Sequence, residues 1–314
     1  MVERVIYPSV KIVLTLSIKR VNRYDSSVET EKYLLTSDGL KININENRIS
    51  DRYVVILTHG FLNHKETEPI AINICKLLEL QGISSITFDF RAHGKSQGKL
   101  RNDFTINGCI EDTLAVYKYA EKNYKKIILI GVSFGASISS CLAPKLNLSG
   151  LILLNPLLDY HESYTKFSKI AYDFYKLDEQ IARKMRPLDI YPFNNISPEL
   201  ITQAEKLTPW KELNHLNIPV IIIQGTYDTI ISPENTCTIF NQIENKYKKL
   251  ILVKNGTHGF KPVSELKCVG NQTQNLIKNC FKNPFFKLSL MAANLMGKNK
   301  ATINPQNEST KKTI

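Results

Sequence analysis

No stretch of this chain approaches the roughly 20 consecutive apolar residues of a membrane-spanning helix. Near the start, the apolar run Val10 to Ile18 is interrupted by Lys11 and followed by Lys19-Arg20, where a cleavable leader would need small residues. A cytoplasmic location is the expectation. The six cysteines, Cys75, Cys109, Cys141, Cys237, Cys268 and Cys280, contain no CxxC pair and no close Cys/His cluster. That pattern removes the usual ligand spacings for a metal and suits small buried thiols in a reducing compartment. Internal repeats are missing as well. Acid is in short supply, with 29 Asp and Glu against 41 Lys and Arg, for a formal charge of +12.

That charge is uneven. Lys261 to Ile314 holds nine Lys and two Glu, the first 32 residues add +2, and the body between them carries only +3. The excess therefore says little about the ligand of the main body. No nucleic acid is expected as a partner. The basic end reads as a solvated tail, with attraction to an anionic membrane or nucleic acid as its alternative, and its stretch Pro284 to Met296 either lies weakly on a membrane surface or docks on the body as a final helix.

With 43% hydrophobic residues among 314, the chain has ample material for a core. Tyr33 to Thr36 and Leu40 to Ile44 flank Ser37-Asp38-Gly39 as a hairpin. Apolar runs then alternate with helical patterns. Strands are expected at Tyr53 to Thr58, Ile83 to Phe90, Ile127 to Ile130, Gly150 to Leu158, Pro219 to Gln224 and Leu250 to Val253. Helices are expected at Pro69 to Leu80, with Ile70, Ile74, Leu77 and Leu78 on one face, and at Asp103 to Tyr124, with Ile106, Ile110, Leu114 and Tyr117 in register. The alternation implies an α/β fold with a mostly parallel central sheet covered by helices on both faces.

Residues 159–216 break this rhythm. They offer no clear buried strand but many aromatics: Tyr160, Tyr164, Phe167, Tyr172, Phe174, Tyr175, Tyr191, Phe193 and Trp210. So long an insertion in a compact domain is usually functional. It is read as a helical cap, with some rings packing on the sheet and others facing a ligand. The expected organisation is a core of 1–158 plus 217–282, the cap at 159–216, and a basic extension at 283–314. Within that extension, Pro284 to Met296 could form a short amphipathic helix, and Gly297 to Ile314 reads as disordered.

Gly131-Val132-Ser133-Phe134-Gly135 carries the chemistry. It comes after the apolar run Ile127 to Ile130 and precedes the small residues Ala136, Ser137 and Ser139. A G-x-S-x-G between strand and helix forces the serine onto a sharp turn, and the glycines let strand and helix pass closely. A serine hydroxyl then needs a base, an acid to orient that base, and donors for a developing oxyanion. In parallel sheets such groups gather at the carboxyl ends of strands. After Val253 comes Asn255-Gly-Thr-His258-Gly-Phe260, which places His258 as the base. After Ile223 comes Gln224-Gly-Thr-Tyr-Asp228, which offers Asp228 as the acid. The competing readings are a turn aspartate bonding its own backbone, or Asp159 as the acid instead. Thr58-His59-Gly60-Phe61 comes after the first core strand. The backbone N–H groups of Phe61 and Phe134 are the candidate oxyanion donors, and His59 reads as shaping that loop. His64, His161 and His215 receive no role.

These residues resemble the serine-dependent, capped branch of the α/β-hydrolases, which includes monoacylglycerol lipases, feruloyl-esterase-like enzymes and serine-aminopeptidase-like hydrolases. The match runs through His59-Gly60-Phe61, Phe88-Asp-Phe-Arg-Ala-His-Gly-Lys-Ser96, Gly131 to Gly135, Gly225-Thr-Tyr-Asp228 and Thr257-His258, and spans roughly Lys32 to Phe281. The order Ser, Asp, His is the family's. Ala92 stands where the F-D-x-R-G-H-G-x-S pattern has glycine, from which a small backbone adjustment is expected. The resemblance implies a serine hydrolase cleaving a carboxylic ester or thioester through an acyl-enzyme, with no metal or organic cofactor. Acyl transfer or peptide cleavage on the same triad is the nearest alternative. A non-catalytic binding protein on a hydrolase fold is the alternative of another class.

Overall fold

The computed structural model describes residues 29–160 and 197–298. Eight strands form one sheet in the order β1-β2-β4-β3-β5-β6-β7-β8. They are β1 (Glu29–Leu35), β2 (Lys41–Asn47), β3 (Tyr53–Thr58), β4 (Ser84–Phe88), β5 (Lys126–Val132), β6 (Gly150–Leu154), β7 (Val220–Gly225) and β8 (Lys248–Val253). The β1–β2 and β2–β4 pairs are antiparallel, and every pair from β4 through β3 to β8 is parallel. The helices are α1 (Pro69–Glu79), α2 (Ile106–Asn123), α3 (Phe134–Leu142), α4 (Pro198–Glu205), α5 (Pro209–Glu212), α6 (Pro233–Gln242), α7 (Val263–Lys282) and α8 (Phe286–Leu295). Among the described residues, no helix is long and apolar enough to cross a membrane.

Helices on both faces explain why the central strands are unbroken apolar runs rather than alternating ones. Along β3, Val54 and Ile56 point into one core layer with residues of α2 and α3. Val55 and Leu57 point into the other, with Ile70 and Ile74 of α1, Ile277 of α7 and Phe286 of α8. Each such side chain contributes about 1.5–3 kcal/mol when fully buried, so both layers strongly specify the strand register.

Several boundaries differ from the sequence reading. Helix α2 begins at Ile106 rather than Asp103, because the Thr105 side chain caps it by accepting from the Gly108 N–H. Strand β6 stops at Leu154, four residues short of Leu158. Asn155 takes a left-handed φ of 43°, and its own N–H turns to the Ile223 carbonyl. Leu77 is only half-buried, while its expected partners Ile70, Ile74 and Leu78 are buried. Ile110 and Leu114 are likewise half-buried, and Ile106 and Tyr117 are buried.

Of the expected cap, residues 161–196 lie outside the described residues, and with them His161 and seven of the nine aromatics. Tyr160 faces the core, its hydroxyl bonded to Ser137 Oγ at 2.8 Å. Trp210 is half-buried against the same layer. Leu200 and Ala204 of α4 also pack there, and the Gln203 side chain accepts from the Asn107 N–H at the start of α2. At the other end of the chain, Pro284 to Met296 docks on the body through Phe286 and Leu290.

Candidate active site

The parallel pairing levels the strand ends. Thr58 lies opposite Gly131, Val132 opposite Leu154, and Gly225 opposite Val253. Loops leaving β3, β5, β7 and β8 therefore emerge side by side, and each carries one of the predicted groups. Ser133 sits between β5 and α3 with φ 51° and ψ −113°. A non-glycine residue held there costs on the order of 1–3 kcal/mol. The surroundings leave no alternative. The Ser133 N–H is bonded to the Leu154 carbonyl. A Cβ at Gly131 would lie 2.4 Å from Ala136 Cα, and one at Gly135 would lie 2.5 Å from the His59 carbonyl oxygen. Only glycine lets α3 pass that close to β3 and β5.

His258 Nε2 lies 2.9 Å from Ser133 Oγ, and His258 Nδ1 lies 2.8 Å from Asp228 Oδ2. A carboxylate beside Nδ1 requires the proton there. Nε2 is then left with a lone pair to accept from the serine hydroxyl. Asp228 is buried and uses both oxygens. Oδ1 accepts from the Ile230 and Ile231 N–H groups, each at 2.9 Å, while Oδ2 meets His258 and Gln224 Nε2. Asp228 thus binds its own turn with one oxygen and faces the histidine with the other. The two ring nitrogens of His258 meet Asp228 and Ser133, and Asp159 lies five residues beyond the end of β6.

The structure adds residues that the sequence reading passed over. Asn155 Oδ1 accepts from the Gly225 N–H at 2.7 Å, and its Nδ2 donates to the carbonyls of Thr257 and His258. One side chain therefore joins the ends of β6 and β7 to the histidine loop. Its signal was an asparagine inside the apolar run Gly150 to Leu158. Glu68 is the second. It is buried, and its Oε2 accepts from the Gly60 N–H at 3.2 Å and from Asn63 Nδ2 at 2.8 Å. Burial pushes its carboxyl above the ordinary value, against the pull of those two donors. It fastens the Gly60–Asn63 loop next to Ser133.

Phe134 opens α3, so its N–H has no acceptor within the helix. The Phe61 and Phe134 rings meet edge to face at 5.6 Å, and Phe104 lies 5.5 Å from Phe134. Phe104 and Phe134 belong to the buried core, and Phe61 packs half-buried against them.

His59 Nδ1 lies 2.8 Å from the Gly60 carbonyl, so it carries the proton, and Nε2 accepts from the Phe90 N–H at 3.0 Å. Both nitrogens are occupied by backbone. Burial first, and His93 second, pull its pKa down to about 3, and burial lowers His93 as well. An unfolded histidine gains its proton below about pH 6.5, whereas these two remain neutral in the fold. Acid therefore favours the unfolded chain. Stability contributed by each should be intact above that pH and fall by up to about 1.4 kcal/mol per pH unit below it. Urea unfolding at pH 7 and pH 5.5 should show this loss, with a shallower pH slope in His59→Gln. An unchanged slope in that variant would mean that His59 protonates without unfolding.

The Phe88–Ser96 turn is held by buried ions. Lys65 Nζ and Asp89 Oδ2 pair at 2.7 Å, and Arg91 bridges Asp112 and Asp38. Burial opposes ionisation of Asp89, but Lys65 and the backbone N–H groups of Lys65 and Lys95 outweigh it and hold the carboxyl below its ordinary range. Ala92 itself adopts φ 63°, the conformation that glycine takes without cost, at a strain of roughly 1–2 kcal/mol.

Many solved structures share this architecture, three of them as follows. The Pyrococcus furiosus esterase Pf2001 is 20% identical, with a TM-score of 0.66 over 80% of this chain and 91% of that one. Est1E from Butyrivibrio proteoclasticus, solved with ferulic acid bound, is 20% identical, with a TM-score of 0.61 over 78% and 97%. The α/β hydrolase GrgF from Penicillium sp. sh18 is 19% identical, with a TM-score of 0.64 over 81% and 99%. At such identity the likeness establishes the fold. A family model described as serine aminopeptidase, S33, matches residues 50–207, half of the chain, from the start of β3 through the Ser133 turn. The chain belongs to that family of α/β-hydrolases.

Proposed function

We propose that this protein is a serine hydrolase that cleaves a carboxylic ester or thioester through an acyl-enzyme. The observation that carries this reading is the continuous chain of contacts from Ser133 Oγ through the His258 ring to Asp228, at 2.9 and 2.8 Å. In the first half-reaction Ser133 Oγ attacks the acyl carbon and its proton passes to His258 Nε2. The carbonyl oxygen gains negative charge and is received by the Phe61 and Phe134 N–H groups. Asp228 stabilises the imidazolium. The tetrahedral intermediate collapses as His258 gives its proton to the leaving oxygen or sulfur. Water then attacks the acyl-enzyme, losing a proton to the same nitrogen, and the acid is released as Ser133 recovers its hydrogen.

The half-buried Phe61 ring, packed on the core residues Phe104 and Phe134 in the loop that approaches Ser133, supports an acyl group that is apolar, aliphatic or aromatic. The ferulic acid held by Est1E supports the same class. The test is a series of p-nitrophenyl esters and acyl-thioesters of increasing chain length, run beside aminoacyl anilides. Ester or thioester turnover, with a fluorophosphonate adduct found by mass spectrometry on Ser133, is the expected result. Anilides cleaved faster than every ester would replace this reading with a peptidase, and no adduct on Ser133 would remove it.

A further inference from the structure

The positive charge of this protein is concentrated in its C-terminal third. Between Asn245 and Asn307 the sequence holds eleven lysines and a single acid, Glu265. This segment includes β8, which is the edge strand, together with α7 and α8. Six of these lysines stand on the three elements themselves, so the basic run begins well before the C-terminal extension.

Helix α8 is fixed firmly to that edge. Phe286 and Leu290 enter the core layer. Lys287 Nζ donates to the Asn217 carbonyl at 2.7 Å, and Asn294 Nδ2 donates to the carbonyls of Lys246 and Lys248. The helix also ends decisively. Gly297 takes φ 69°, its N–H goes to the Asn294 carbonyl, and the Lys298 N–H goes to that of Ala293. This pair of bonds and the left-handed glycine form a Schellman stop.

The outer face of the same helix is apolar. Phe285 is 69% exposed, Leu288 54%, Leu295 82% and Met296 64%. Phe285, Leu288, Ala292 and Leu295 recur at spacings of three and four, which puts them on one side of a helix. The exposed Lys282 and Lys298 flank this strip, and α8 itself contains no acid. Exposing such a strip to water is unfavourable, and its charged border attracts anions.

We propose that the outer face of α8 docks on an anionic lipid surface, with Phe285, Leu288, Leu295 and Met296 entering the headgroup–acyl boundary and the flanking Lys282 and Lys298 meeting lipid phosphates and carboxylates. A nucleic acid would satisfy the lysines but leave three aliphatic side chains in water, and Phe285 is the strip's one ring for a base to stack on. The inference is independent of the chemistry at Ser133.

The test is sedimentation of the full chain with vesicles of phosphatidylcholine alone or with about one third phosphatidylserine, at low and high salt. Binding is expected on the anionic vesicles at low salt, and it should fall at least tenfold on neutral vesicles or in high salt. Replacing Phe285, Leu288, Leu295 and Met296 together by serine should reduce it on the order of tenfold or more. The Lys282→Gln/Lys298→Gln pair should lose about fivefold per lysine. Because all these side chains are exposed, melting temperatures should remain at the wild-type value. Failure to sediment with anionic vesicles at low salt overturns the proposal. So does equal binding to neutral vesicles, or full binding by the four-serine variant. Retention on a polyanion such as heparin without vesicle binding would assign this face to nucleic acid instead.

Discussion

Ser133→Ala should abolish acyl hydrolysis, by on the order of 10⁴- to 10⁶-fold in kcat, and leave the fold intact. In the proposed mechanism the hydroxyl is the group that forms the covalent bond. The deletion removes one half-buried oxygen whose partner is His258 Nε2. Far-UV circular dichroism should be unchanged. Because serine holds φ 51° at a cost that alanine shares, the melting temperature should move little. Ester binding should persist, so KM is expected to change far less than kcat. Retention of more than a tenth of the activity in a pure preparation would remove Ser133 from the mechanism.

The second large effect is at Asp228. Asp228→Asn should lower kcat on the order of 10⁴-fold. An amide at this place can present its N–H to His258 Nδ1, which then accepts and moves the ring proton to Nε2. The imidazole can no longer take the proton of Ser133. It also loses the negative charge that balances the imidazolium. Oδ1, which accepts from Ile230 and Ile231, survives as the amide oxygen, so the turn should remain folded. Asp159→Asn should leave kcat within a few-fold of wild type, because that side chain is not in the triad. Measured side by side, a reversal of the two results would move the acid to the loop after β6.

Much of this arrangement was legible in the chain. Runs such as Tyr53–Thr58 form buried strands in any sequence that can cover both faces, and β3 falls on those residues without a shift. Gly131, Ser133 and Gly135 declared a tight turn because no other residue types tolerate such close backbone passage. Asp228 and His258 each stand a few residues beyond an apolar run, and parallel strands deliver their carboxyl ends to one side of the sheet. Boundaries were less legible. The run through Leu158 hid the turn at Asn155, because apolar side chains continue beyond the point where the backbone leaves the sheet.

By itself, then, the sequence determined the α/β alternation, the position of the serine turn and the identities of Ser133, Asp228 and His258 as candidates, because local periodicity and backbone sterics are enough to reveal them. Tertiary structure alone decided which carboxylate reaches the histidine, because Asp228 and Asp159 both come after apolar runs and only the level register of β7 and β8 brings one of them within 2.8 Å. It also assigned Asn155 and Glu68 as the braces of the site, since their hydrogen bonds join loops separated by many residues. And it turned one side of α8 outward as an apolar strip between exposed lysines, because charge is written along the chain but a surface exists only once the elements carrying it have packed together.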